Sequence, residues 1–136
     1  MTEVHASLAA RNAMLNAFRD LIDAGGDGGM IRIYKGLQPA SADATVPDSR
    51  LLGVIELMAP SGPDAIDGVL KLSAMTGAVV ALASGEASFA RISSSRGDSV
   101  IDLDVGSAAA SVAIDNTSLV AGGPLRMASA TISIPA

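Results

Sequence analysis

Residues 87–105, ASFARISSSRGDSVIDLDV, form the most regular segment of this 136-residue chain. Side chains alternate around Phe89 and Arg91, and residues 94–98 then supply the Ser, Gly and Asp that are typical of a turn. Successive side chains of a strand point to opposite faces, so the return strand has an apolar face and an acidic face. The apolar face carries Ile101, Leu103 and Val105, and the acidic face carries Asp102 and Asp104 with Val100. The segment therefore predicts a β-hairpin.

Most of the remaining chain also consists of short apolar runs between turn signals. Clusters of Gly, Pro, Asn and Asp interrupt these runs throughout residues 30–136. The strands predicted outside the hairpin are residues 30–34, 51–58, 68–73, 111–115, 117–120 and 125–134. We therefore predict a mainly β fold, an antiparallel β-sandwich of about seven short strands preceded by one N-terminal amphipathic helix.

The N-terminal helix is predicted over residues 4–23. Its apolar residues recur near helical spacing, while Arg, Asn and Asp occupy much of the remaining surface. The apolar stripe consists of Val4, Leu8, Leu15, Phe18 and Ile22, widened by Met14 and Leu21. A single amphipathic helix must bury such a stripe, either on the sheet of its own domain or on a neighbouring subunit. Leu15, Phe18 and Ile22 are accordingly the candidate interface residues.

The glycine-rich residues 24–29, AGGDGG, end this helix and divide the chain. Phosphate-binding loops place their glycines after a strand and before a helix, whereas these glycines follow a helix and precede a strand. We therefore predict a flexible helix cap and linker instead of a phosphate site, with Thr2 or Ser7 as the N-cap of the helix. The predicted organisation is a helix and glycine linker in residues 1–29, followed by a β-sandwich domain in residues 30–136.

The composition excludes several classes of function. Cysteine is absent, which excludes disulfides and thiolate metal sites, and the nine basic residues are scattered instead of forming a nucleic-acid-binding patch. The apolar, charge-free stretch at residues 72–85 is shorter than the roughly 20 residues that span a bilayer. Residues 1–5 lack the basic start of a signal peptide. We expect no nucleic-acid partner, no membrane partner and no cofactor, and synthesis in the cytoplasm.

Catalytic side chains are scarce. His5 is the one histidine of the chain, and a general base needs a positioned partner that its neighbourhood does not supply. No Gly-x-Ser-x-Gly motif accompanies the many serines, and one histidine does not make a convincing catalytic triad. We therefore predict that the protein is not an enzyme.

Two further motifs have a functional and a structural interpretation. Asp102 and Asp104 resemble an Asp-x-Asp cation site, to which Asp98 or Asp115 would add oxygens, but calcium prefers six to eight oxygen ligands. A solvated acidic strand face is therefore the favoured interpretation. Residues 96–98 spell the Arg-Gly-Asp tripeptide that integrins recognise, although Gly-Asp also suits a tight hairpin turn, and we predict the structural role.

Several segments, taken in order along the chain, resemble a small family of tailed-phage and prophage structural proteins. They are residues 21–26 (LIDAGG), 30–40 (MIRIYKGLQPA), 51–57 (LLGVIEL), 85–92 (GEASFARI), 100–106 (VIDLDVG), 115–124 (DNTSLVAGGP) and 130–136 (ATISIPA). The ordered set covers nearly the whole chain. The resemblance implies a virion component, and it transfers no catalytic residue.

The expected function is that of a phage virion structural protein, a capsid decoration (cement) or head-associated protein present in many copies. Its expected partners are other virion proteins, the major capsid protein or tail proteins, together with further copies of itself in a homo-oligomer. A tail or head–tail junction component is an alternative within the same class. A receptor- or glycan-binding module, which would use loops at residues 43–48 and 93–99, is an alternative from a different class. The expected location is the virion, after synthesis in the cytoplasm of the bacterial host.

Overall fold

The computed structural model describes residues 5–75, 78–107 and 110–134, and it confirms a mainly β fold with one N-terminal helix. A single turn of 3-10 helix at Asp48–Arg50 precedes the second strand. The elements, in chain order, are α1 (Leu8–Ile22), β1 (Met30–Lys35), β2 (Leu51–Glu56), β3 (Val69–Lys71), β4 (Ala78–Val80), β5 (Gly85–Ser93), β6 (Ser99–Gly106), β7 (Val112–Ile114), β8 (Ser118–Leu119) and β9 (Pro124–Ser133).

The strands form one hydrogen-bonded path in the order β2-β1-β5-β6-β7-β9-β3, with β4 paired to β9 and β8 paired to β5. The described residues thus contain nine strands where the sequence predicts about seven, and β4 is one that the sequence does not predict. The predicted hairpin is confirmed as the antiparallel pair β5–β6. The β6–β7 pair is parallel, which departs from the predicted antiparallel pattern.

The sheet curls until β2, at one end of the hydrogen-bonded path, and the residues just after it meet segments that follow β3 and β4. The backbone N–H of Leu82 donates to the carbonyl of Leu52 at 2.8 Å, and that of Met58 donates to Ser73 at 2.8 Å. Across the interior, a Cβ on Gly53 of β2 would lie 2.5 Å from Cδ2 of Leu125. The facing layers of the predicted sandwich are therefore parts of one curled sheet.

One apolar core fills the space inside this curl. Its members come from the helix and from most of the strands, and their side chains are buried because the sheet closes around them. The largest fully buried side chains of this core are Leu15, Ile22, Ile31, Ile33, Leu52, Ile55, Leu57, Leu70, Ile92, Ile114 and Leu125.

Polar side chains of α1 hold the segment at residues 61–68 against the helix. Asn12 Oδ1 accepts a hydrogen bond from the backbone N–H of Gly68 at 2.9 Å, and Asn16 Oδ1 accepts one from Ala65 at 2.7 Å. These helix positions are one turn apart, so their side chains leave the same face. The N-cap is Ser7, whose hydroxyl accepts from the backbone of Ala10 at 3.1 Å; the alternative, Thr2, lies outside the described residues.

Two glycines of the run after α1, Gly28 and Gly29, lie against neighbouring backbone, a close approach that the prediction of a flexible cap and linker did not include. A Cβ at Gly28 would lie 1.8 Å from the carbonyl oxygen of Leu57, and a Cβ at Gly29 would lie 2.4 Å from that of Ser93. Side chains larger than hydrogen would collide with the backbone there. Glycine is used here because the chain passes close to Leu57, just after β2, and to Ser93, the last residue of β5.

Candidate functional site

The predicted interface stripe of the helix lies against the sheet of its own chain. Leu15 and Ile22 are fully buried in the core, and Phe18 is half-buried and packs on it. Of the two arrangements that the sequence leaves open, the described residues adopt the one within a single chain. Leu8, Met14 and Leu21 of the same helix remain exposed.

Asp102 and Asp104, the candidate cation ligands, have different environments. Arg91 and Asp102 pair across β5 and β6, with Nε to Oδ1 at 2.7 Å and Nη2 to Oδ2 at 3.0 Å. The Asp102 side chain is 5% exposed, whereas Asp104 is exposed and accepts a hydrogen bond from the backbone of Ser111. The prediction of a solvated acidic face is wrong for Asp102, because Arg91 neutralises it beneath a loop.

Arg91 joins this ion pair to the loop that covers it. Its guanidinium also donates to the carbonyl of Ala44 and, at 3.3 Å, to the carbonyl of Ser41. The hydrogen bond to Asp102 raises the pKa of Arg91 above its ordinary value, outweighing the opposing effect of burial. The guanidinium is therefore a permanent cation that fixes the loop on the outer face of the sheet, a structural role.

A small aromatic cluster lies under the same loop. The rings of Tyr34 and Phe89 stack with centroids 5.3 Å apart, and Val46 and Leu51 pack against them. The Arg50 guanidinium carbon lies 5.4 Å from the centroid of Phe89, within the range of a cation–π contact. Both rings are buried, so neither forms an exposed platform.

A concave surface lies where β1 begins and β2 ends. Three methionines line it: Met30, Met58 and Met75, of which Met58 is 49% and Met75 is 67% exposed. Asp27 and Glu56 stand at the same surface, and the volume of this open cavity is about 620 Å³. We call this surface, defined by these five residues, the methionine groove.

A second exposed apolar feature lies at the other end of β1. Leu37 is 88% exposed, and the backbone around it is firmly held. Arg50 donates to the carbonyls of Lys35 and Leu37, and the Ser88 hydroxyl donates to the carbonyl of Gly36. Gly36 adopts a φ of +87°, which a residue with a side chain rarely adopts. We call residues 35–38 the Leu37 turn.

The other candidate residues are placed as follows. Residues 96–98 lie in an exposed turn, where the N–H of Gly97 donates to the carbonyl of Ser94 at 2.9 Å and that of Ser94 donates to Asp98. The Arg-Gly-Asp sequence thus forms the turn of the β5–β6 hairpin. His5 is exposed, three residues before the first residue of α1.

No group of three or more His, Asp or Glu side chains that could hold a metal ion occurs in the described residues. Within the same ranges, α1 is neither long nor apolar enough to cross a membrane, and no other helix is. The part of the chain that is described therefore offers surfaces and packed loops as its candidate functional features.

Sequence reasoning missed both the methionine groove and the Leu37 turn. The three methionines are far apart in the sequence and meet because β1 pairs with β2 and because the backbone N–H of Met75 donates to the carbonyl of Glu56 at the end of β2. Leu37 carried a local signal, since an apolar residue between Gly36 and Pro39 in a turn has no core to enter.

Comparisons with known proteins return no relatives. No protein-family model, no curated protein and no solved structure matches this chain.

Proposed function

We propose that this chain is a phage virion structural protein, present in many copies, that decorates the capsid or associates with the head and stabilises the particle through protein–protein contacts. The observation that carries the proposal is the methionine groove. It joins exposed apolar side chains in a concave surface, which is what an assembly contact needs. The ordered sequence resemblance to phage structural proteins supplies the biological setting.

The methionines of the groove favour contact with protein. Exposed apolar surface gains roughly 25 cal/mol per Å² when it is removed from water. Methionine side chains are flexible and polarisable, so they adapt to the shape of an apolar partner. Met58 and Met75, which are 49% and 67% exposed, therefore favour a surface that is covered in an assembly.

The fold also suits a component that transmits load between subunits. Hydrogen bonds close the curled sheet on itself, and Arg91 and Arg50 fix the loop that crosses its outer face. Specific interfaces bury on the order of 1,200–2,000 Å², and repeated contacts around a symmetric particle add through avidity. A rigid domain forms such contacts with little loss of conformational entropy.

The alternatives are supported unequally. A tail or head–tail junction component would use the same surfaces and belongs to the same class. A glycan- or receptor-binding module is less well supported, because such sites depend on exposed aromatic side chains. Tyr34 and Phe89 are buried, and Phe18 packs on the core.

The test is quantitative mass spectrometry on purified virions, with intact particles compared with separated heads and tails. We expect many copies per particle, co-purifying with heads. Co-purification with tails in a few to a few dozen copies would transfer the protein to the tail or junction. Absence from particles would overturn the virion assignment.

A matched pair of variants links the result to the groove. Met75→Asp places a charge in the methionine groove, whereas Ile66→Asp places one at a residue of the same exposure, 68% against 67%, outside it. We expect particles to incorporate Ile66→Asp at the wild-type level and to lose Met75→Asp. Equal incorporation of the two variants would show that the methionine groove is not an assembly contact.

A further inference from the structure

We infer that the methionine groove receives the Leu37 turn of a second copy of this chain, so that copies associate head to tail. This inference deepens the proposed function and rests on its assignment of the groove to assembly, and it names the occupant. The Leu37 turn, whose exposed leucine is the knob of this contact, and the methionine groove lie on one molecule, at opposite ends of β1.

The first support is the way Leu37 is presented. Its side chain is 88% exposed, the highest value among the exposed large apolar residues of the described chain. Carbonyls of three successive residues, 35–37, each accept a hydrogen bond from a side chain, so the turn is ordered before any contact. An ordered apolar knob loses little entropy when it docks.

The second support is complementarity between the two surfaces. Leucine is apolar, and the methionine groove, with a volume of about 620 Å³, has room for its side chain. Lys35 stands beside the knob, while Asp27 and Glu56 stand at the groove, and none of these three side chains forms an ion pair within the described residues.

The third support is the geometry of β1. Met30 begins the strand and Lys35 ends it, so a six-residue strand of roughly 17 Å separates groove from knob. A contact between two different patches of one protein is heterologous: it generates a ring if the rotation closes and a filament if it does not. A repeating structure is what a multi-copy particle component forms.

The size of the contact sets its expected strength. One leucine and three methionines bury less than the roughly 1,200 Å² typical of a stable pair, so a single contact is weak. Association is therefore expected to rise with protein concentration and to become strong only where ring closure or the particle adds avidity.

The experiment is sedimentation velocity on the purified full chain across a wide concentration series. Wild type is expected to increase in average mass with concentration. Leu37→Asp and Met75→Asp are each expected to weaken association at least about tenfold, because each removes a buried apolar contact. Ile66→Asp, the matched control outside the groove, is expected to associate as wild type does.

Mixing the two variants is the decisive arm. In a head-to-tail contact, Leu37→Asp keeps an intact groove and Met75→Asp keeps an intact knob. The equimolar mixture is therefore expected to form a one-to-one dimer that grows no further. A mixture that remains monomeric while wild type associates would overturn the head-to-tail contact, as would a wild type that stays monomeric at every concentration.

Exchanging two charges tests the expected pairing of Lys35 in one copy with Glu56 in the next, without altering the apolar residues. Lys35→Glu and Glu56→Lys are each expected to weaken association, and the double variant to recover it. A double variant no tighter than the single variants would overturn this pairing. Circular dichroism of every variant confirms the wild-type fold before sedimentation.

The outcomes for the two proposals are separable. If the chain is found in virions but is monomeric in solution, and the Leu37→Asp and Met75→Asp variants do not associate when mixed, the proposed function is retained and the second-copy contact is refuted. A chain that associates head to tail but is absent from particles retains the contact and refutes the virion role.

Discussion

Arg91 and Asp102 form a two-point ion pair between neighbouring strands, and the loop above them leaves the Asp102 side chain 5% exposed. The two residues lie directly opposite each other on β5 and β6, so the spacing of the strands sets the distance between their side chains. Arg91 also donates to the carbonyls of Ser41 and Ala44. The same guanidinium therefore balances the buried charge and fixes the loop.

Asp102→Asn is expected to lower the free energy of unfolding by about 3 kcal/mol, because it leaves a buried guanidinium without a counter-charge. Asp104→Asn, on the same face but exposed, is the matched control and is expected to change it by less than about 0.5 kcal/mol. Urea denaturation followed by circular dichroism measures both. Equal effects would refute the assignment of a buried structural pair.

Asn16→Ala is expected to lower the free energy of unfolding by about 1–3 kcal/mol, because the backbone N–H of Ala65 loses its acceptor in a part-buried position. Ala17→Gln changes the next, exposed helix residue and is expected to have little effect. Hydrogen exchange of the Ala65 amide provides the local measurement. Unchanged protection of that amide in Asn16→Ala would contradict the hydrogen bond.

Leu15→Ala and Leu21→Ala remove the same atoms from one helix at different depths. Leu15 is 0% exposed and Leu21 is 57% exposed. We expect about 2–5 kcal/mol of destabilisation for Leu15→Ala and well under 1 kcal/mol for Leu21→Ala, measured by urea denaturation. Leu15→Asp is expected to abolish folding, and a folded Leu15→Asp would refute the packing of the helix on its own sheet.

Gly28→Ala tests whether the glycine run is packed. The new methyl would lie 1.8 Å from the carbonyl oxygen of Leu57, so the backbone must move. Gly26→Ala has open space but a φ of +85°, which costs about 1–2 kcal/mol. Thermal and urea unfolding should show the larger loss for Gly28→Ala. A smaller loss than for Gly26→Ala would favour the flexible linker.

Glu86 gives the protein an acid-sensitive contact. The hydroxyl of Ser118, at 2.6 Å, and then that of Thr117 donate to its carboxylate and lower the pKa of Glu86 below its ordinary 4.5. A carboxylate with a lowered pKa stabilises the fold above the unfolded pKa and loses this contribution as the pH falls through the folded pKa.

We therefore expect wild type to be more stable than Glu86→Gln at neutral pH, with the difference shrinking on acidification below about pH 4.5. Urea midpoints across this range measure the difference. An NMR titration of Ser118→Ala should show the pKa of Glu86 moving back up. A difference between wild type and Glu86→Gln that is constant with pH would contradict the contact.

Strand β9 shows where sequence alternation reaches its limit. Strict alternation would place Leu125 and Ile132 on opposite faces, yet both are buried. The register against β7 shifts between Met127 and Ser129, so one extra residue lies on β9. A bulge of this kind switches the inward face within a strand, and only the pairing partner reveals it.

The sequence by itself determined most of the elements, although it did not predict β4. The alternation of residues 87–105 predicted the β5–β6 hairpin, and the glycines predicted the end of α1. The apolar spacing predicted a helix over residues 4–23, whereas α1 begins only at Leu8, after its N-cap Ser7. These features depend on backbone preferences and on neighbours within a few residues, which a sequence displays directly.

Only the tertiary structure decided what the elements present to their surroundings. It buried Asp102 beneath a loop, brought Gly28 and Gly29 against the backbone of two distant residues, placed the helix stripe on its own sheet, and gathered three methionines into the methionine groove. Burial and charge environment depend on how far one sheet curls and on which distant segments then touch. No short stretch of the chain carries that information, because these contacts join segments that are far apart in the sequence.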